Sequence, residues 1–279
     1  MKVQIYQNLK KYIDKSEDFL LRKEVSNNLF WDLFEKLGKL HHEKHWAANV
    51  MNDGKIQISA ILTPSGYLML SNGNFQACNQ LLKYFNRKKL ILKGVAGPSG
   101  LVDSIFRDRM IIENEKYGIE RNFKIFESPT KLKFSSSDES NEYKLKEVSS
   151  LEWPRIRLWA LQFAQESIPA LNGSQIVLSA KKMMHKKSLF VLQKEGVGSC
   201  GMAGFGRETR NFKVINLVYV SDEYRSRGVG KKLINQLLEV AKIRFHKKCL
   251  LFSDYLGKQN LYRSMGFRHV SNYREVEIN

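Results

Sequence analysis

Two periods alternate along residues 142–279. Tyr143, Leu145 and Val148 predict a first strand, and residues 152–167, with Ile156, Leu158, Trp159 and Phe163 apolar, predict a helix. Residues 174–187 predict a second helix. Three strand-like runs follow at 188–193 (SLFVLQ), 200–206 and 212–220, with the turn Lys194-Glu195-Gly196-Val197-Gly198 after the first. Between 229 and 244, Val229, Leu233, Leu237 and Ala241 recur every fourth residue beside Ile234 and Leu238. This is the stripe of an amphipathic helix lying on a sheet. The run CLLF at 249–252 is apolar throughout, as a strand covered on both faces would be. A short helix over 258–265 stops at Gly266, and 267–278 supplies one or two strands.

The first half reads similarly. Residues 26–40 predict a helix, and 46–51, 55–62 and 67–71 predict strands turning at Asp53-Gly54 and Ser65-Gly66. A helix (74–86), a strand (90–95), a helix (100–111) and a strand (123–126) complete it. Both halves share the order helix, three strands, helix, strand, helix, strand. That order implies a structural duplication, although no sequence repeat is visible. The Ser- and charge-rich stretch 127–141, with Pro129, reads as a linker. The expected organisation is an accessory or degenerate unit at 1–127, a linker at 128–141 and a chemistry-bearing domain at 142–279. The fold class is α/β, a mixed sheet flanked by helices.

Composition narrows the function classes. Mean hydropathy is −0.39 and no apolar run approaches the roughly 20 residues that span a bilayer. The first residues lack the apolar core of a signal peptide. Cys78, Cys200 and Cys249 show neither metal-ligand spacing nor a disulfide framework, so a reducing cytoplasm is expected. The cluster His41-His42-Glu43-Lys44-His45 departs from HExxH and offers no third ligand, so no metal is expected. Net charge is +18, unevenly spread. Residues 1–140 carry 22 basic and 16 acidic side chains, and the remainder 24 and 12. The second half therefore expects the more anionic partner: a phosphate-rich cosubstrate, a nucleic acid or an acidic substrate.

The chemistry concentrates at 214–233, VINLVYVSDEYRSRGVGKKL. A strand ends at Val220, a polar turn follows, and Arg225-Ser226-Arg227-Gly228-Val229-Gly230 leads into the amphipathic helix. Free N–H groups at a helix N-terminus bind phosphate, and the helix dipole favours negative charge there. Gly228 and Gly230 allow close backbone approach, and Arg225, Arg227, Lys231 and Lys232 add positive charge. Between Arg225 and Leu233 the spacing fits neither GxxxxGK[ST] nor GxGxxG, so this loop is neither a P-loop nor a dinucleotide fingerprint.

The pattern Val220-x-x-x-Tyr224-Arg225-x-x-Gly228-Val229-Gly230 resembles the acetyl-CoA-binding signature of the GNAT acetyltransferase superfamily, Q/R-x-x-G-x-G/A after a strand. Leu261-Tyr262-x-x-x-Gly266-Phe267 resembles its LY-x-x-x-GF ending. The tail looks like a bacterial branch in which an N-terminal portion precedes the GNAT domain. The resemblance implies that pantetheine runs beside Val218, Tyr219 and Val220, and that pyrophosphate sits on the amides from Ser226 through Arg227, Gly228, Val229 and Gly230 to Lys231. It further implies that the Val220 amide supports the thioester oxyanion, while Tyr262 protonates the departing thiolate. Two departures stand out. Many relatives carry a glutamate base on the third or fourth strand; the run 212–220 contains none, Asn216 sits mid-strand, and Glu208, Asp222 and Glu223 are the acids nearby in sequence. For the Asn that relatives often carry a few residues before the Tyr, the segment 254–260 offers no clear alignment, with Asn260 and Gln259 as the candidates.

The expected activity is acetyl transfer from acetyl-CoA to a primary amine by direct attack. The first half lacks the glycine pair and the arginines at Ser71-Asn72-Gly73-Asn74, so it is expected not to bind CoA. Two other readings stay open: an aminoacyl transferase acting from tRNA, and a non-catalytic module binding CoA or nucleic acid. Nucleic acid and membrane are not the expected partners. Acceptor, acyl length and oligomeric state are not legible.

Overall fold

The computed structural model describes residues 1–39, 45–107, 117–130, 142–254 and 261–278. The His41–Lys44 part of the histidine cluster, most of the linker, Gln259 and Asn260 lie outside them. The chain forms two compact units, one of Met1–Ile125 with Val270–Asn279 and one of Phe126–His269.

The first unit runs β1 (Lys2–Tyr6), α1 (Leu9–Leu21), α2 (Glu24–Asn27), α3 (Leu29–Lys39), β2 (Trp46–Asn52), β3 (Lys55–Leu62), β4 (Tyr67–Leu70), α4 (Phe75–Arg87), β5 (Gly94–Pro98), α5 (Ser99–Arg107) and β6 (Tyr117–Glu127). Its sheet has the order β1-β2-β3-β4-β5-β12-β6, where β12 (Arg268–Ile278) comes from beyond the second unit. Neighbours from β1 to β4 are antiparallel, β4–β5 is parallel, and β5–β12 is antiparallel. Helices cover both faces. Leu81, Leu82 and Phe85 of α4 and Val102 and Ile105 of α5 pack on one face; Tyr12, Leu20, Phe30 and Leu37 pack on the other. That double cover explains why the middle of β2 is buried at successive positions. Polar groups on the α1 face are paired: Tyr12 Oη and Ser59 Oγ lie 2.6 Å apart, and Ser59 Oγ donates to Asn49 Oδ1 at 2.7 Å.

The second unit runs β7 (Tyr143–Glu147), α6 (Trp153–Glu166), α7 (Gly173–His185), β8 (Leu189–Lys194), β9 (Gly198–Glu208), β10 (Phe212–Val220), α8 (Val229–Phe245), β11 (Lys248–Ser253) and α9 (Leu261–Ser264). Its sheet order is β11-β10-β9-β8-β7, antiparallel except for the parallel pair β10–β11. The α8 stripe of Val229, Leu233, Ile234, Leu237 and Ala241 packs on one face, and α6 and α7 pack on the other through Ile156, Trp159, Ala180 and Met183.

Three sequence expectations change. Strand β1 and helix α1 precede the first helix that the pattern predicted. With them, each unit starts strand, helices, three strands, helix, strand, helix, so the shared order is longer than expected. The strand expected at 90–95 is instead Gly94–Pro98. Its glycines are required by contact: a Cβ on Gly94 would fall 2.5 Å from Tyr67 Cε1, and one on Gly97 3.0 Å from the Leu70 Cβ. Finally, Val270–Asn279, expected in a domain spanning 142–279, belongs to the first unit, because β12 pairs with β5 from Tyr273↔Pro98 to Glu277↔Gly94.

Candidate active site

Strand β10 begins as a regular strand and ends as an open one. Its ladder to β11 runs only over Phe212–Ile215 against Lys248–Leu251. Beyond it, Asn216 pairs with Gly204 and Tyr219 with Met202 on β9, so Leu217 and Val218 together oppose a single residue. Leu217 takes φ 54° at this bulge. The Asn216 side chain accepts the Leu217 N–H at 2.8 Å and so holds the bulge. A bulge raises local twist and bends its strand. The last five residues of β10 therefore have one edge outside the β11 ladder.

Pairing alternation fixes which backbone groups face that edge. Ser221 N–H donates to Cys200 O at 3.0 Å, so in the antiparallel register Val220↔Gly201 is the non-hydrogen-bonded pair. The Val220 N–H and C=O consequently point away from β9, and its carbonyl accepts Arg225 Nε at 2.9 Å. By the same alternation the Tyr219 backbone points at β9. Its ring lies in the α6 face core, and its hydroxyl donates to Gln162 Oε1 at 3.0 Å. Of the three residues expected beside pantetheine, Val218 and Val220 line the core cluster that Tyr262 borders, and Tyr219 faces elsewhere.

The loop after β10 delivers open amides. Helix α8 starts at Gly228, in the left-handed region at φ 76°, with no side-chain cap. Its first intrahelical bond there is Lys232 N–H to Gly228 O at 3.2 Å, which leaves the amides of Val229, Gly230 and Lys231 outside the helix ladder. Ser226 is also left-handed, at φ 59°. Such curled backbone gathers N–H groups into an anion-binding concavity. Arg227, Gly228 and Lys231 are exposed, the Val229 side chain is buried in the core, and Lys232 lies 4.7 Å over the Tyr143 ring. Gly230 sits where three elements meet: a Cβ there would be 3.4 Å from Leu261 Cδ2 and 3.9 Å from Val220 Cγ2.

Arg225, expected among the phosphate-side charges, is engaged elsewhere. Its Nη2 donates to both carboxylate oxygens of Glu166 at 2.8 Å and lies 3.1 Å from Asp222. Its guanidinium also stands 5.2 Å from the Tyr219 ring centroid. These side chains are about half exposed, so such ion pairs are worth only about 0–1 kcal/mol of stability.

Tyr262 packs against Phe126 and Phe267, with ring centroids 6.2 and 5.8 Å away. Burial, reinforced by the Asp254 carboxylate, pushes its phenol up to about 12. The unperturbed value near 10 would suit a proton donor better. The acids near in sequence are occupied. For Glu208, burial is outweighed by hydrogen bonds from Lys213 and Lys247, which hold its carboxyl below the ordinary range. Asp222 pairs with Arg225, and Glu223 accepts from Ser221 Oγ at 2.9 Å. Sequence reasoning missed Glu166, Gln162 and Asp254. The first two lie 59 and 57 residues from their partners, so no local pattern marks them.

Residues 185–269 match the acetyltransferase (GNAT) domain family. The chain carries a GNAT domain. None of the curated proteins matches it in sequence. In fold it is similar to an acetyltransferase from the GNAT family of Colwellia psychrerythraea, at TM-score 0.58 and 13% identity over 100% of both chains. It is also similar to a Drosophila protein, at TM-score 0.62 and 9% identity over 99% of this chain and 98% of that one. A tandem GNAT protein from the clavulanic acid biosynthesis pathway gives TM-score 0.54 at 9% identity, again over 99% and 98%. At these identities the likeness is one of fold: a mixed α/β, GNAT-like architecture, which a tandem GNAT protein shares over nearly the whole chain. A GNAT domain is built for acyl transfer. Among the described residues, no helix is long and apolar enough to cross a membrane, and no group of three potential ligands stands ready for a metal.

Proposed function

We propose that the second unit transfers an acetyl group from acetyl-CoA to a primary amine. The observation that carries this reading is the uncapped start of α8 beside the open end of β10, with Tyr262 bordering the same core cluster. The amides from Ser226 to Lys231 receive the pyrophosphate, with Arg227 and Lys231 supplying charge. Val218 and Val220 give pantetheine a strand edge. Val220 N–H donates to the thioester carbonyl and supports the oxyanion as the amine nitrogen adds to the carbonyl carbon. Removing one comparable donor costs about 2.7–4 kcal/mol. Collapse of the tetrahedral adduct forms the amide and breaks the C–S bond. Tyr262 donates to the departing sulfur, and the proton lost by nitrogen, relayed by water, restores the phenol. No covalent enzyme intermediate is involved, and a cytoplasmic setting supplies the cosubstrate.

The test is thermal unfolding with and without saturating acetyl-CoA, on wild type and Gly228→Glu. A ligand at about 100 times its Kd stabilises by about 2.7 kcal/mol, a rise of several degrees for a chain of this size. The wild type should shift and the variant should not. If neither shifts, the glycine loop holds no CoA and the reading fails.

A further inference from the structure

We infer that Arg225 is a positioning residue for the thioester and not a ligand of the CoA phosphates. The inference rests on the acetyl-CoA reading above and deepens it. Two carboxylates, Glu166 and Asp222, lie within ion-pair distance of the guanidinium, so the local charge at this point of the loop is net negative. A phosphate gains nothing by approaching it. The uncommitted positive charge sits further along, on Arg227 and Lys231.

What Arg225 does hold is the strand end. Nε donates to Val220 O at 2.9 Å, on the edge facing away from β9. Ser221 N–H, in the same peptide plane, donates to Cys200 O at 3.0 Å on the β9 side. That plane is thus fixed from both edges. One residue upstream, Tyr219 is fixed by its hydrogen-bonded register with Met202. Val220 N–H lies between two anchored points, just beyond the bulge, where the strand has no β11 ladder to steady it. The other end of the clamp is Glu166, the last residue of α6. The same helix sends Gln162 to the Tyr219 hydroxyl. Arg225 therefore ties α6 to the backbone group proposed to meet the thioester oxygen.

The consequence is a selective effect on the acetyl group. CoA and acetyl-CoA share every phosphate contact and differ at the thioester. One neutral hydrogen bond corresponds to roughly a 2- to 12-fold difference in Kd. The experiment is calorimetric titration of the full chain with CoA and, separately, with acetyl-CoA. The wild type should prefer acetyl-CoA. Arg225→Gln should bind CoA within about 2-fold of wild type and lose most of that preference. Glu166→Ala, which keeps the arginine and removes its acceptor on α6, should move the ratio in the same direction. Arg225→Lys should restore part of it, because an ammonium can still donate to Val220 O. Arg227→Gln should instead weaken both ligands by the same factor. Equal weakening of both ligands by Arg225→Gln would make Arg225 a phosphate ligand and overturn the inference. A wild type that binds both ligands without preference overturns it too, by removing the Val220 contact. A wild type that binds neither sinks the acetyl-CoA reading itself.

Discussion

Helices α4 and α8 occupy the same place in two units of the same order, and their first turns have opposite fates. At α4, Asn74 caps the helix: its side chain accepts from Gln76 N–H at 2.7 Å and Ala77 N–H at 3.3 Å. Upstream, Asn72 N–H is taken by Asn27 Oδ1 at 2.7 Å. At α8 the corresponding cap is a left-handed glycine with no side chain to offer. The strands before the two helices differ in the same sense. The β4–β5 ladder runs through Met69↔Ala96, one residue short of the end of β4, and the Gly97 backbone closes against Leu70. The β10–β11 ladder stops after four residues, five short of the strand's end. One unit caps the amides at its helix start and carries its ladder nearly to the strand's end; the other leaves both open. If the proposed reading holds, shared topology alone does not make a cosubstrate site, and side-chain caps with a continuous ladder close the first unit to one.

This contrast can be broken at several points. Most severely, Gly228→Glu should abolish acetyl-CoA binding completely, and the wild type should bind one equivalent per chain in calorimetry; a second equivalent would mean that the first unit is not closed. Next, Tyr262→Phe should lower kcat by about 100-fold or more, within the range for a positioned proton donor, while acetyl-CoA affinity stays near wild type. Steady-state rates on any amine found by screening would show it, and an unchanged kcat would place the phenol outside the chemistry. More modestly, Asn74→Ala should cost about 1 kcal/mol and lower the midpoint of thermal unfolding by a few degrees, without creating a second CoA site.

The smallest effect concerns pH. Burial works against the Glu127 carboxylate, yet hydrogen bonds from Arg268 and Lys248 outweigh it and hold it below the ordinary carboxyl range. A depressed folded value stabilises above the unfolded pKa of about 4.3, and that share is lost as pH falls through the folded one. Glu127→Gln should therefore narrow its stability deficit relative to wild type as denaturant titrations move from pH 7 into the acid range. A deficit independent of pH would show that the ion pairs contribute nothing.

Much of the second unit was legible because its signals are local. The heptad-like stripe of α8, the apolar run of β11 and the glycine pair of the loop each sit within one element. The elements missed were those whose pattern is interrupted for a distant reason. In α1 the apolar stripe is broken by Ser16, which is fully buried because Asn49, 33 residues away, donates to its hydroxyl at 2.9 Å. In β5 the glycines that hide the strand exist to admit Tyr67 and Leu70. In the site, the loop backbone could be read from its glycines. The pairing of Arg225 with Glu166 could not, because the two meet only through the packing of α6 on the sheet.

The strand Val270–Ile278 is made after every other residue described here, yet it lies against β5 in the first unit's sheet. During synthesis, at about 5–20 residues per second, β5 waits with an open edge while more than 170 residues emerge between Pro98 and Tyr273. An exposed edge strand is a template for mispairing. Nascent chains stalled or truncated before residue 270 should therefore be more prone to aggregate than the finished one, and a fragment ending near residue 127 is a poor way to obtain the first unit alone.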